Sequence, residues 1–363
     1  MKRIALIGIS LCAALLAGAH ALPDAVVYPS VTPADDIAYD IPVRLSFSFE
    51  GVPVTVDVSV GGALYEGAAR ADKTVTRFGN AREDDWIDDY FPAFVDERHH
   101  GPFYDSLLAE LRRVRDERGL DADRYAELLT VFAQSIIYTT DPDELEPKFP
   151  VETFVEATGD CDDKALLLAG LLSREGYDVA IFLFEPEKHV ALGIRCDELD
   201  YRGTGYAYTE TTADGFIGMV PEQFSGGMAL MSHPLVFKVG VGARPYTAGG
   251  QVRAILEGCE WAATEAAQLA DEIAHLDETL RRIQADVRGR QRELDRLGIS
   301  GEASAYTLVS RSLHELIDHY NDMVRRRNEL ADRHNGLARI DRIVAEGLDD
   351  RLGTYAAVRA FVG

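Results

Sequence analysis

Gly159-Asp160-Cys161-Asp162-Asp163-Lys164-Ala165 opens a leucine-rich run, and the reading of this stretch decides the fold. Asp160 is a good N-cap residue, and residues 162 to 173 place Ala165, Leu166, Leu168, Ala169 and Leu172 on an apolar face before Gly176 ends the run. Cys161 therefore opens a buried helix, where unpaired N–H groups and the positive end of the helix dipole favour a thiolate. Downstream, residues 178 to 184 are β-branched and aromatic, Glu185-Pro186-Glu187-Lys188 makes a tight connection, and residues 189 to 195 form a second strand with His189 at its mouth. A third strand, 205 to 211, follows a polar loop over 197 to 204. Strand side chains repeat every two residues, so Tyr206, Tyr208 and Glu210 share a face. The expected fold class is α+β, a cysteine-bearing helix packed on an antiparallel sheet, with His189 and Glu210 side by side on neighbouring strands.

A cysteine at a helix start, a histidine and a carboxylate are, in that order, a nucleophile, a base and a group that orients the base. The order and the Gly-Asp-Cys lead-in resemble the transglutaminase-like superfamily of papain-like folds, over roughly residues 120 to 225. The stretch looks closest to exported prokaryotic, particularly archaeal, transglutaminase-like domain proteins, which also show a Glu-Thr-Thr triplet, here Glu210-Thr211-Thr212. The resemblance implies a papain-like core, Cys161 as nucleophile, His189 as general base and acid, and Glu210 as the orienting residue. It also implies a thioester intermediate formed on a peptide or carboxamide, resolved by water or by an amine, with no metal or organic cofactor. Two positions depart from the family: Asp162 stands where cross-linking enzymes usually carry an aromatic residue, and Glu210 where they usually carry Asp.

For the tetrahedral oxyanion the Cys161 N–H is the natural first donor. Gln134, in the helical segment 123 to 138, is the candidate second donor, with a core-edge glutamine of no catalytic part as its plain alternative. Asp160, Asp162 and Asp163 crowd the thiol and raise its pKa against the helix-end effect. An inert version of the fold, serving as a cell-surface binding or scaffold protein, is the alternative function.

The first residues, Lys2-Arg3, an apolar stretch from Ile4 to Ala19 and the small-x-small triplet Ala19-His20-Ala21, read as a secretory signal peptide over 1 to 21. The expected location is secreted or cell-surface, with membrane attachment only if the leader stays uncleaved. Cys12 lacks the preceding small residue of a lipoprotein site. Without the leader, 35 basic side chains face 61 acidic ones, a formal charge of −26. Such a surface repels nucleic acid and anionic lipid, so the expected partner is a protein or peptide substrate. Cys161, Cys196 and Cys259 remain, too few for a disulfide scaffold, although Cys196 and Cys259 could pair.

Residues 22 to 82 read as a β-rich N-terminal region, alternating over 41 to 78 around Glu50-Gly51, with extended chain up to Thr76. The transglutaminase-like unit is placed over 83 to 245, with helices over 83 to 138 and a clear one from Tyr104 to Arg118. His99-His100 reads as a solvated loop pair rather than a metal site. Asp141-Pro142-Asp143 marks an extended entry, and Gly249-Gly250 a linker. From Ile255 the apolar positions step by four and three through Cys259, Ala262, Ala266, Leu269, Ile273, Leu276, Leu280, Ile283, Val287, Arg290, Leu294 and Leu297. That is a 3.5-residue seam, repeated through Leu313, Leu316, Tyr320, Met323, Arg327, Leu330, His334 and Leu337. A coiled-coil hairpin over 251 to 347 follows, a surface for a homodimer mate or protein partner, and residues 348 to 363 are left as a C-terminal tail.

Overall fold

The computed structural model describes residues 25–78, 86–140, 146–224 and 227–362. The leader read over 1 to 21, with Cys12, and the Asp141-Pro142-Asp143 entry lie outside the described residues. The chain is mixed α+β, 55% helix and 17% strand, helix prevailing because of two very long C-terminal helices. It divides into two compact units, one running to Arg253 and including Gly347–Gly353, the other Ala254–Glu346 with the residues from Thr354 on.

The first unit begins with β1 (Ala25–Val27), which pairs antiparallel with β4 (Thr76–Phe78). Between them β2 (Asp40–Phe49) and β3 (Val52–Gly61) form the hairpin that the alternating pattern predicts. Its turn residues Glu50 and Gly51 both take positive φ, 52° and 68°, the two-residue geometry that matches strand twist. Glu50 is held there by Arg118 and Arg124, each at 2.6 Å. The segment after β3 is not extended, as the sequence reading has it, but helical: α1 (Gly62–Ala69) lacks the polar–apolar alternation of a strand, and its three Ala, Leu64 and Glu66 favour helix despite two glycines. Three helices follow, α2 (Ile87–Val95), α3 (Gly101–Arg118) and α4 (Ala122–Gln134), the last capped by Asp121 through Arg124 N–H at 2.9 Å. The hairpin packs on α3 and α4, so the β-rich N-terminal region and the segment after it share one core.

Helix α4 ends earlier than its sequence pattern suggests. Ile137–Tyr138 leaves the helix as β5 and pairs in parallel with β6 (Thr158–Gly159), which lies just beyond α5 (Pro150–Glu156). Strand β6 leads directly into α6 (Cys161–Arg174). Every residue of α6 from Asp163 to Leu172 is buried, because the helix packs against α4 and α5 as well as against the sheet. Leu166, Leu167, Leu168, Leu171 and Leu172 are fully enclosed, each contributing about 2 kcal/mol of apolar burial.

The sheet is β7 (Val179–Phe184), β8 (His189–Arg195) and β9 (Tyr206–Thr209), joined at the β7 edge by β10 (Leu235–Val239), in the order β10-β7-β8-β9, all antiparallel. The helix bearing Cys161 rests on β7 and β8.

The second unit is dominated by α7 (Gly249–Ser300) and α8 (Ala303–Glu346), joined at Gly301, whose φ is 77°. Every residue of the two predicted seams is buried or half-buried. Arg290 donates to the Ser312 carbonyl at 3.1 Å and Arg327 to Asp277 at 3.1 Å. Both pairs of residue numbers sum to nearly the same value, as antiparallel helices require, so these polar seam positions fix register. Gly249-Gly250 is not a linker. It starts α7, because the remote Glu198 carboxylate accepts the Gly250 N–H. The C-terminal tail is also helical, as α9 (Arg351–Val362). Arg351 is buried at its start and pairs with Glu127 and Gln251, while Asp349 accepts from Ser48 at 2.6 Å and Gly51 at 3.2 Å. Among the described residues no helix is long and apolar enough to cross a membrane.

Gly170 lets α6 cross α3: a Cβ there would lie 1.9 Å from the Tyr104 hydroxyl oxygen and 2.4 Å from its ring. Gly170→Ala is expected to lower unfolding free energy by about 2 kcal/mol in chemical denaturation. Adding Tyr104→Phe should restore part of the loss, since that buried hydroxyl has no hydrogen-bond partner. A Gly170→Ala chain as stable as wild type would contradict the packing.

Candidate active site

Strand register brings the imidazole and the carboxylate together. Leu192 faces Thr209 and Gly193 faces Tyr208, so continuing the ladder sets Glu210 opposite Ala191, on the face that also carries His189 and Tyr208. His189 Nε2 accordingly lies 3.3 Å from Glu210 Oε2 and 3.2 Å from the Tyr208 hydroxyl, which itself donates to Glu210 Oε2. The other carboxylate oxygen, Oε1, accepts from Thr211 N–H at 3.0 Å, Thr212 N–H at 2.8 Å and the Thr212 hydroxyl at 2.6 Å. Glu210 is 1% exposed. Burial pushes its pKa up, but His189, Thr212 and Tyr208 outweigh that and hold it at about 2. The Glu-Thr-Thr triplet thus has a physical role: it keeps a buried carboxylate ionised. The imidazole is covered by Phe224, 4.7 Å away between ring centres, and by Phe184 at 6.2 Å.

Cys161 stands at the first position of α6, as the sequence reading has it. Asp160 caps the helix, accepting from Asp162 N–H at 3.2 Å and Asp163 N–H at 3.4 Å, while Asp163 accepts from Asp160 N–H at 3.1 Å. Gly159 is required by this closure, since a Cβ there would lie 2.7 Å from Asp163 Cβ. The residue is half-buried, and its sulfur, turned inward, lies against the Val190 N–H, one residue along β8 from His189. Among the described residues Cys161 makes no hydrogen bond to the His189 ring. The ring's hydrogen bonds are at Nε2, and Nδ1 makes none among the described residues.

Burial, then Asp162 and Asp160, push the thiol well above its ordinary pKa; Glu210 adds to this and the Val190 N–H opposes it. Burial and the acidic neighbours together therefore outweigh the helix-end effect, and the resting group is the thiol. Burial and a hydrogen bond shared with Asp160 push Asp162 far up, and burial with the Asp160 charge pushes Asp163 up to about 7.

Gln134 does not serve as an oxyanion donor. Its amide donates to the carbonyls of Glu210 at 2.9 Å and Gly215 at 3.0 Å, which engages both N–H bonds and makes it a brace under the 210–215 loop. Lys164, a position the sequence reading left without a role, completes this brace. Fully buried, it donates to the Gln134 and Ile136 carbonyls at 3.1 and 2.7 Å, capping the end of α4, and burial lowers its pKa to about 8. Sequence pattern marks Tyr208 only as a strand residue, although its place two positions before Glu210 on the same face is a signal for its part in this network. His100 is not solvated: it is fully buried among Phe103, Tyr104 and Phe149, with burial lowering its pKa to about 3, whereas the partly exposed His99 bonds Glu97 at 3.0 Å. Cys196 and Cys259 are free thiols and form no disulfide. The only group of metal-binding residue types among the described residues is Asp160, Asp162 and Asp163, with oxygens within 4.8 Å of one another. No known protein family, curated protein or solved structure matches the chain.

Because the Glu210 pKa lies below its ordinary 4.5, its stabilising contribution is present above pH 4.5 and lost as the pH falls toward 2. Denaturant unfolding of wild type and Glu210→Gln should show a gap that shrinks by up to about 3 kcal/mol between pH 4.5 and 2. A gap independent of pH would refute the assignment.

Proposed function

We propose that this chain is an exported transglutaminase-like cysteine hydrolase or acyl transferase, with a papain-like core, acting on peptide or carboxamide bonds. One observation carries the reading: a cysteine at the N-terminus of a buried helix rests against the strand whose first residue is a histidine bonded to a buried, ionised carboxylate. Sequence supports the export, through the leader pattern of residues 1 to 21.

In the reaction His189 Nδ1 takes the Cys161 proton as the sulfur attacks the carbonyl carbon. Glu210 and Tyr208 hold the ring at Nε2 and stabilise the imidazolium that forms. The Cys161 N–H faces the developing oxyanion. The imidazolium then protonates the departing amine, leaving a thioester that water or a second amine resolves. Since the resting thiol is protonated, proton transfer accompanies attack rather than preceding it. This chemistry needs no metal or organic cofactor. A second reading, an inert fold used for binding, is favoured by the raised thiol pKa alone.

Labelling with a substrate-mimicking cysteine electrophile separates the two. Cys161 should react ahead of Cys196 and Cys259, His189→Ala should slow it by about a hundredfold, and Cys161→Ala should abolish both labelling and amide turnover. Equal, slow labelling of all three thiols, unaffected at residue 189, would leave only the binding reading.

A further inference from the structure

Beside the nucleophile the chain presents an unpaired strand edge. Ile137 N–H donates to the Ala157 carbonyl at 3.2 Å and Thr139 N–H to the Gly159 carbonyl at 3.0 Å, so both point toward β6. Alternation along a strand turns the N–H and C=O of the intervening Tyr138 to the opposite side, where no hydrogen bond reaches them among the described residues. Ile137 is 64% exposed and Tyr138 44%. An open backbone edge carrying two exposed large apolar side chains is a template on which an extended chain adds as a further strand.

Its position points to the site. Tyr138 pairs with Gly159, two residues before Cys161. Its phenol lies near Cys161, Asp160, Glu210 and Asp162. The surroundings also have one sign: Asp160 and Asp162 are half-buried, hold their oxygens within 4.8 Å of each other and of Asp163, and belong to a chain of formal charge −24. Desolvated carboxylates gathered this closely repel an acidic chain and favour a cationic side chain that can displace their shared proton.

We propose that the substrate is an extended basic peptide that adds as a strand to the free edge of β5, hydrogen-bonded to Tyr138. It packs an apolar side chain on Tyr138 and sets a lysine or arginine beside Asp160 and Asp162, which brings its backbone past Cys161. Delivery to Cys161 rests on the cysteine-enzyme reading above; the docking itself does not.

The test uses the full chain carrying Cys161→Ala, which binds without reacting, and fluorescence anisotropy of short labelled peptides. One peptide alternates leucine with lysine or arginine, a second replaces the basic residues with glutamate, and a third is the basic peptide N-methylated at alternate residues. The basic peptide should bind at least about tenfold more tightly than the other two. Asp162→Asn should weaken the basic peptide severalfold without weakening the glutamate peptide. Equal affinity for acidic and basic peptides, or indifference to N-methylation, overturns the docking. Binding as expected with no turnover of the same peptide by wild type would overturn the reaction alone, and turnover independent of charge and N-methylation would overturn the docking alone.

Discussion

An ionised carboxylate buried to 1% exposure is expensive, and the arrangement around Cys161 exists because Glu210 is fully satisfied. One oxygen takes three donors from Thr211 and Thr212; the other takes the Tyr208 hydroxyl and the His189 ring. The five bonds come from three pieces of chain: the end of β9, the loop after it and the start of β8. Losing one partner would strand a buried charge at a cost of about 3 to 5 kcal/mol, so the local geometry has little freedom to relax. Below this knot Gln134 grips the Glu210 and Gly215 carbonyls, and Lys164 ties the end of α4 to the helix that carries the sulfur. The result is an imidazole fixed at one nitrogen and open at the other.

Helix α6 sets the opposing requirement. It is buried along nearly all its length, so its N-terminus has one place to go, against the mouth of β8. Asp160 closes that terminus and Gly159 permits the closure. The same burial denies the thiol its ionised form, aided by Asp162 and Asp160. Under the proposed function, a site of this kind holds a dormant nucleophile that depends on its histidine.

Much of this was legible from local pattern. Alternation and Glu50-Gly51 mark the β2–β3 hairpin and the 3.5-residue seam marks α7 and α8, because in each case the residues that decide the structure lie close in sequence or repeat with a fixed period; strand alternation likewise puts Glu210 on the face of Tyr208, where it meets His189. The misreadings share a cause as well. Ile137–Tyr138 looks helical until β6 pairs with it, Gly249-Gly250 looks like a linker until Glu198 caps it, and Gln134 looks like a free donor until two carbonyls of a distant loop claim its amide. His100 disappears into an aromatic cluster assembled from α3 and the start of α5. Such outcomes are set by partners dozens of residues away, which no periodicity encodes.

The central claim is that Cys161 and the His189–Glu210 pair act as one proton-exchanging unit. NMR titration of the His189 ring nitrogens, in wild type and in Cys161→Ala, tests it most directly. Coupling predicts that Nδ1 reports the thiol's ionisation in wild type and loses that inflection in the variant, while Nε2 stays bonded to Glu210 in both. Superimposable Nδ1 curves in the two proteins would contradict it.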